Sequence, residues 1–360
     1  MRWGTSGSNP KPRVVHVADC AAGVAAAIES YVAATDSFDH FIVHIDRGED
    51  SSRAFDQVSS AKVFELQRSL LLEPVRLRAL LKTLSPDVVH LHSSRAGAVG
   101  RVCMFRFEKS LRIVYSPHCF AFERLDLRSR SRSIVRFIER ILSLNTTVVA
   151  ACSERERTLA RNLNRRMQVE MVPNVSRFSA DPVEGGADGD AANSRPFTVV
   201  GLGRLSSQKD PSWFSAVVNK LRNNSTVRYE FVWIGSGPEK YQRELEACGV
   251  RVTGWLPEED VQVILREGDI YMHTAAWEGY PVALLNAISA GLVPVVREIP
   301  AFAGHEELCV RSVMDAASRI QAIASDELVR QTVRDAWRQK VADNCIATQS
   351  YRLHRVYGVT

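Results

Sequence analysis

No apolar run in this 360-residue chain approaches the roughly 20 uninterrupted residues that a bilayer-spanning helix needs. The longest stretches, SIVRFIERILSL and ALLNAISAGLVPVV, are broken by Arg136, Glu139 and Arg140 or by Pro294. A secretion signal is not expected either, because the first eleven residues are small and polar and the following run, RVVHVAD, is strand-length and ends in Asp19. Seven cysteines, at 20, 103, 119, 152, 248, 309 and 345, lack any paired spacing. That argues against a zinc site or a redox dithiol and makes a reducing cytoplasm the expected compartment. A basic run interleaved with aromatic platforms is also missing, so nucleic acid is not an expected partner. No repeat of fixed period is visible.

What is present fits a soluble two-domain protein: 45% apolar and 24% charged residues in a chain long enough for two cores. The net charge of +5 is unevenly placed, with 27 Lys and Arg against 18 Asp and Glu in residues 1–180 and 19 against 23 in residues 181–360. Much of the excess lies at 124–144. There Arg128, Arg132, Arg136 and Arg140 recur every four residues, and Ile134, Phe137, Ile138 and Ile141 fill the other side. Such a helix either lies on anionic lipid or packs its apolar side on its own domain.

Short apolar runs alternate with helical patterns along the whole chain, which predicts parallel sheets covered by helices on both faces. The expected strands are RVVHVAD, FDHFIVHID, KVFELQ, DVVHLHS, LRIVYSPH, TVVAAC and QVEMVPN in the first half, then FTVVGLG, YEFVWIG, VRVTG, DIYMHTA and LVPVV. Ser153 with Glu156 forms a capping box. The small, polar stretch SADPVEGGADGDAANSR at 179–195 reads as a linker. The expected organisation is therefore a first α/β domain at 1–178, a second at 196–340, and a terminal helix at 341–360.

The segment WEGYPVALLNAISAG, beginning at Trp277, follows the strand-like DIYMHTA and opens an amphipathic helix. Helix N-termini carry unpaired N–H groups and about half a positive charge, so they hold phosphates. Glu278 at the mouth of that pocket suits sugar hydroxyls and not phosphate, so the segment suggests a sugar nucleotide. Arg204 and Lys209 lie five apart in a Gly- and Ser-rich loop after FTVVGLG, where both can converge on one anion. The Gly235–Gly237 loop lacks the Lys-Ser/Thr ending of a P-loop, which excludes that ATPase reading.

GLGRLSSQKD at 201–210, VWIGSGPE at 232–239, VTGWLP at 252–257 and the WEGYP block resemble a retaining glycosyltransferase of family 4. VVHLHSSRAGAVGR at 88–101, YSPHCFAF at 115–122, ACSERER at 151–157 and MVPNVSRF at 171–178 are similar to that family's acceptor-side domain. Together these motifs, in order and in register, extend the resemblance over nearly the whole chain. It implies a GT-B architecture, two Rossmann-like α/β domains whose parallel sheets face a cleft. It also implies a nucleoside-diphosphate-sugar donor, no metal ion, retention of anomeric configuration, and a terminal helix that crosses back to the first domain.

By the same resemblance His118, Glu278, Arg204 and Lys209 are the catalytic set. Gly23, Gly203, Gly235, Gly254, Leu256, Gly279, Tyr280, Pro281 and Asn286 fall on the donor side. His92, Ser93 and Arg95 fall on the acceptor side, where a glycan or lipid-linked acceptor carrying phosphate is expected. Two positions depart from the family. Asn286 stands where the second carboxylate of a Glu-x7-Glu pair is usual, and only Gly23 remains of a glycine-rich first loop, beside Ala21 and Ala22. These departures keep open a catalytically silent nucleotide-binding chain and a sugar-nucleotide epimerase of the same fold, beside the transfer of a hexose in surface-polysaccharide assembly. His16, His44, His273 and His305 carry no assigned role.

Overall fold

The computed structural model describes residues 10–19, 23–45, 55, 58, 60–69, 72–105, 107, 111–178, 195–224 and 227–358. The expected linker at 179–195, except Arg195, lies outside the described residues, as do Ala21 and Ala22.

The first unit runs β1 (Arg13–Ala18), α1 (Gly23–Ala33), β2 (Asp39–Ile45), β3 (Ala61–Leu66), α2 (Glu73–Leu84), β4 (Val88–His92), α3 (Ser94–Cys103), β5 (Arg112–Ser116), α4 (Ser129–Leu142), β6 (Val148–Ala151), α5 (Glu154–Leu163) and β7 (Gln168–Met171). The second runs β8 (Phe197–Leu202), α6 (Pro211–Asn224), β9 (Tyr229–Ile234), α7 (Glu239–Ala247), β10 (Arg251–Val252), α8 (Glu258–Glu267), β11 (Ile270–His273), α9 (Val282–Ser289), β12 (Val293–Arg297), β13 (Cys309–Val310), α10 (Val313–Ser325) and α11 (Glu327–Lys340), and α12 (Ile346–Tyr357) ends the described chain. Both sheets are wholly parallel, ordered β3-β2-β1-β4-β5-β6-β7 and β10-β9-β8-β11-β12-β13. The order reverses beside β1 and beside β8, and in such sheets ligands gather at the carboxyl ends of the strands flanking the reversal. The two-residue β13 is the strand that the alternating pattern misses.

Central strands buried on both faces read as continuous apolar runs. Val14, Val15, Val17 and Ala18 of β1 are each fully buried. In the second sheet Gly201 makes room for Trp233 and Phe214, because a Cβ there would sit 2.7 Å from the indole and 2.9 Å from the phenyl ring. Trp233 then donates from Nε1 to the Gly203 carbonyl at 2.8 Å, so packing in the core fixes the loop that leaves β8.

The last helix returns to the first sheet. Leu353, Val356 and Tyr357 share a core with Val14, Val88, Val114 and Val148, and the Tyr357 hydroxyl lies 3.1 Å from His90 Nδ1.

Helix α4 is turned with its apolar side outward. Ile134, Phe137, Ile138 and Ile141 are 61, 63, 44 and 51% exposed, and the flanking Leu125 and Leu144 are 56 and 80% exposed. Its attachment is polar. Glu139 is buried, takes Arg101 at 2.8 Å and accepts from the Tyr115 hydroxyl at 3.1 Å. Arg132 donates to the Phe122 carbonyl at 2.8 Å, and the Arg136 guanidinium lies over the Phe122 ring. Of the apolar residues of this helix Val135 packs against the core of the first sheet, whereas Ile134, Phe137, Ile138 and Ile141 do not.

Candidate active site

The loops leaving β8 and β11 are tied together residue by residue. Ala276 donates its N–H to the Gln208 carbonyl at 2.8 Å, and the Thr274 hydroxyl donates to the Lys209 carbonyl at 2.6 Å. Arg297 closes the base of the loop by donating to Asp210 at 2.6 Å and to the Thr274 carbonyl at 3.1 Å. Above that base Lys209 Nζ meets Glu278 Oε1 at 2.5 Å, both side chains being only partly exposed, and Gln208 donates to the Trp277 carbonyl and the Glu278 carboxylate at 3.1 and 3.3 Å. Gln208 is a site residue that sequence reasoning passed over. Its position beside Lys209 in SSQKD was the available signal.

Arg204 opens the same loop and is exposed; its carbonyl accepts from the Ser206 hydroxyl at 3.4 Å, and its side chain makes no hydrogen bond or ion pair to a described residue. The glycines around it serve close packing of backbone on backbone. Gly203 and Gly235 have φ of +141° and +132°, a Cβ on Gly203 would lie 2.8 Å from the Lys209 side chain, and one on Gly235 would overlap the Gly203 carbonyl oxygen. Gly235 also donates to the Gly254 carbonyl at 3.0 Å. At Gly254 and Gly23, by contrast, a Cβ would meet no atom of a described residue within 4 Å. Leu256 is half-buried against the core of the second sheet and Trp255 is 53% exposed.

Gly279 is one of the places where the two units touch. A Cβ there would lie 2.8 Å from the Cys119 nitrogen and from the His118 carbonyl carbon. His118 and Cys119 have φ of +50° and +93°, left-handed values that cost about 1–3 kcal/mol each in residues with a Cβ. Glu156 holds this turn, accepting from the Cys119 N–H at 2.5 Å and the Cys152 N–H at 3.0 Å. The expected capping box therefore closes on one side only. Ser153 Oγ accepts from the Glu156 N–H at 3.2 Å, but the carboxylate spans to the strained turn instead of returning to its own cap. Burial raises the Glu156 pKa, against the stabilising N–H groups of Cys152 and Cys119. His118 is partly exposed, and burial of its ring pushes its pKa down to about 4, so it is neutral at pH 7.

Tyr280 and Pro281 are buried at the entry to α9, where the Tyr280 carbonyl accepts from Asn174 Nδ2 at 2.7 Å. The start of α9 has no side-chain cap, and of its first-turn N–H groups that of Leu284 already donates to the Pro281 carbonyl at 3.2 Å, leaving those of Val282 and Ala283 without an intrahelical acceptor. Asn286, expected at a ribose, is buried. Its Oδ1 accepts from the Ser176 hydroxyl and the Arg177 N–H at 3.1 and 3.0 Å, which engages its one acceptor oxygen with the segment after β7. Arg177 continues that seam, lying 2.8 Å from Glu29 of α1 and 2.6 Å from Glu258 of α8.

The residues expected on the acceptor side, His92, Ser93 and Arg95, lie at the end of β4 and the start of α3. His92 is fully buried and reaches the cleft only through His118, whose Nε2 lies 3.1 Å from His92 Nδ1. Arg95 pairs with two buried carboxylates, Asp19 at 2.9 Å and Glu73 at 2.6 Å, and keeps 23% of its side chain exposed. Ser93 caps α3 with φ +67° and donates from Oγ to the Asp19 carbonyl at 3.3 Å. The site thus gathers Lys209, Glu278, Gln208, the Arg204 loop, the start of α9 and the His118–Cys119 turn. His92 and Asn286 are buried, and Arg95 is partly exposed.

Comparison with known proteins agrees with this arrangement. Residues 21–175 match the family described as glycosyl transferase 4-like domain, and residues 196–326 match glycosyl transferases group 1. The chain is 28% identical over 269 residues to the Escherichia coli UDP-Gal:α-D-GlcNAc-diphosphoundecaprenol α-1,3-galactosyltransferase, covering 70% of this chain and 67% of that one. It is 26% identical over 218 residues to an uncharacterized 41.2 kDa protein in the cps region of Klebsiella pneumoniae, covering 58% of this chain and 59% of that one. The fold matches that of Anabaena HepE in complex with UDP and glucose, with a TM-score of 0.75, 15% identity, and coverage of 97% of this chain and 100% of that one. Two parallel α/β units joined at Gly279 and two family matches spanning most of the sequence place one assignment on the whole chain: it belongs to the GT-B glycosyltransferases of the family 4-like group.

Proposed function

We propose that the protein transfers a hexose or a derivative from a nucleoside-diphosphate sugar to a lipid-linked or glycan acceptor, with retention of configuration, in the assembly of a surface polysaccharide or glycolipid. The observation that carries this reading is the meeting of Lys209 and Glu278 at 2.5 Å beside the open end of α9 and the Arg204 loop. The ammonium has three donors, so Lys209 keeps Glu278 while it also binds a diphosphate oxygen. As the bond from the anomeric carbon to the phosphate oxygen breaks, its electron pair stays on the diphosphate. Arg204, Lys209 and the α9 amides then stabilise a charge that is larger in the transition state than in the ground state. The acceptor oxygen attacks the same face of the sugar and its proton passes to the departing diphosphate oxygen. Glu278 accepts hydrogen bonds from sugar hydroxyls, and His118 lines the opposite wall. The reading requires no metal ion, because these groups supply the positive field. The named activity of the Escherichia coli relative supports a UDP-sugar and a diphospholipid acceptor as the first substrates to try.

The acceptor would be met at a membrane surface. Helix α4 offers Ile134, Phe137 and Ile141 to solvent beside the exposed Arg128, Arg130 and Arg140, the composition of an interfacial helix that lies on anionic lipid. Among the described residues no helix is long and apolar enough to cross a membrane.

The test is a thermal-shift screen of UDP, GDP, ADP and their sugars followed by transfer assays, with the anomeric configuration of the product read by NMR. Nucleotide-dependent stabilisation and a retained anomeric centre are expected. An inverted product would overturn the mechanism, and no response to any nucleotide would overturn the donor class. Asn286, with its oxygen given to Ser176 and Arg177, favours one second reading, a chain that binds nucleotide without turnover. Stabilisation with neither hydrolysis nor transfer would establish it.

A further inference from the structure

The central strands of the first sheet place His16 on β1, His40 on β2 and His90 and His92 on β4, all buried. Alternation along the strands points the side chains of His16, His90 and His92 to the face that α1 and α12 cover. With His118 they form a continuous line of ring contacts. His118 Nε2 lies 3.1 Å from His92 Nδ1, His92 Nε2 lies 3.0 Å from His16 Nδ1, and His16 Nε2 lies 3.1 Å from His40 Nδ1. The line ends at Thr35, whose carbonyl oxygen is 2.8 Å from His40 Nε2.

A carbonyl oxygen only accepts, so His40 carries its proton on Nε2. Burial holds all four rings of the line well toward the neutral form, and a neutral imidazole has one N–H and one lone pair. Each assignment then dictates the next. His40 Nδ1 accepts from His16 Nε2–H, His16 Nδ1 accepts from His92 Nε2–H, and His92 Nδ1 accepts from His118 Nε2–H. The remaining nitrogen of His118, Nδ1, has no partner among the described residues and belongs to the only ring of the line that is partly exposed.

We propose that His40, His16 and His92 are positioning residues that fix the tautomer of His118, so that it turns a lone pair, and never an N–H, toward the cleft. This deepens the glycosyltransferase reading and rests on it for its consequence: the His118 wall accepts from a sugar hydroxyl and offers no hydrogen bond to a phosphate. His90 stands beside the line and obeys the same rule, since Ser116 Oγ donates to the Ala150 carbonyl and therefore accepts from His90 Nε2–H, leaving Nδ1 for the Tyr357 hydroxyl. Nitrogens of His16, His90 and His92 lie within 4.8 Å of one another, a spacing open to a divalent ion. Every one of those six nitrogens already has a protein partner, so an ion would have to break the line.

The experiment is two-bond proton–nitrogen correlation on the full chain labelled with 15N-histidine, without substrate at neutral pH, with the His118 signal assigned by its loss in His118→Gln. A single Nε2–H form of His118 is expected. His92→Gln can still donate to His16 and accept from His118 and should keep that form, whereas His92→Phe should release a mixture of tautomers. His16→Phe interrupts the line one ring further back and serves if His92→Phe fails to fold. In transfer assays His92→Phe should lower kcat/KM about tenfold, the scale of one hydrogen bond, with His92→Gln restoring it. An Nδ1–H form in the unaltered protein, an unchanged tautomer in both Phe variants, or stoichiometric binding of added zinc with loss of these signals would overturn the proposal. The spectroscopic arm needs no substrate, so its failure leaves the transferase reading standing, and an absence of turnover leaves the lock testable.

Discussion

Lys209 and Glu278 hold each other at 2.5 Å across the two loops that leave neighbouring strands of the second sheet. The pair retains some exposure, 20 and 12%, and an ion pair of that kind contributes only about 0–1 kcal/mol to stability. Its value to the fold is therefore small beside its value to a transition state. Lys209→Ala and Glu278→Ala are each expected to lower kcat/KM by at least ~100-fold and to move the melting temperature by no more than a few degrees. A calorimetric scan beside a transfer assay checks both. Unfolding of either variant, or normal turnover in either, would contradict the assignment.

Gly279 carries the contact between the two units in its missing side chain. Adding a Cβ brings it to 2.8 Å from two backbone atoms of the His118–Cys119 turn and 3.0 Å from the Glu156 carboxylate, and backbone has little freedom to retreat. Gly279→Ala should destabilise by about 1–3 kcal/mol, as overpacking does, and should raise the donor KM, because the cleft can relieve the clash only by opening. Gly23→Ala is the matching control, with no described atom within 4 Å of its Cβ and an expected stability close to that of the unaltered chain. Equal melting temperatures for Gly279→Ala and Gly23→Ala would show that the junction is slack.

The strands were legible because buried parallel strands leave apolar runs in the sequence; twelve of them could be read, and β13 could not, because its two residues lie between the polar HEEL and RS, whereas the equally short β10 sits in VRVTG. Lys209 and Glu278 were legible because each follows such a run. The commitments of polar side chains across long sequence separations were not. Nothing local says that Asn286 gives its oxygen to residues 110 and 109 positions earlier. Nor does it say that Arg95 is captured by Asp19 and Glu73, or that Glu156 leaves its capping box to hold Cys119. The histidine line has a faint signature in VVHLHSS, where alternation puts two imidazoles on one face, but His16 and His40 join it only through the strand order β2-β1-β4.

Acid should weaken the fold over a defined range. Burial lowers the pKa of His16, His40, His90, His92, His118 and His273, while the unfolded chain protonates near 6.5. The unfolded state then binds more protons as pH falls, so the contribution of these groups is fully present above about pH 6.5 and is lost on the way down toward the folded values. Each fully shifted ring costs up to about 1.4 kcal/mol per pH unit, and several acting together approach the whole stability of an ordinary domain. Glu156 and Glu29, both raised by burial, work in the opposite sense but are two groups against six. Melting temperature should fall steeply between pH 6.5 and 5, and a flat profile there would mean that the rings are hydrated or already charged.

Binding to lipid should follow from α4 and from no other described helix. Its apolar residues are exposed because Arg132, Arg136 and Glu139 hold the other side to the domain, so changing Ile134, Phe137 and Ile141 to Ser removes about 0.8 kcal/mol of membrane affinity per lost methylene while leaving the core untouched. The exposed Arg128, Arg130 and Arg140 add about 1 kcal/mol each near an anionic surface, a contribution that salt screens. In vesicle sedimentation the unaltered chain should bind phosphatidylglycerol-rich vesicles more tightly than neutral ones and lose much of that difference in high salt. The triple Ser variant should lose binding to both at an unchanged melting temperature. If it binds as before, α4 is not the surface that meets lipid; if it unfolds more readily, the three side chains have partners, and the outward face of the helix belongs to a protein contact.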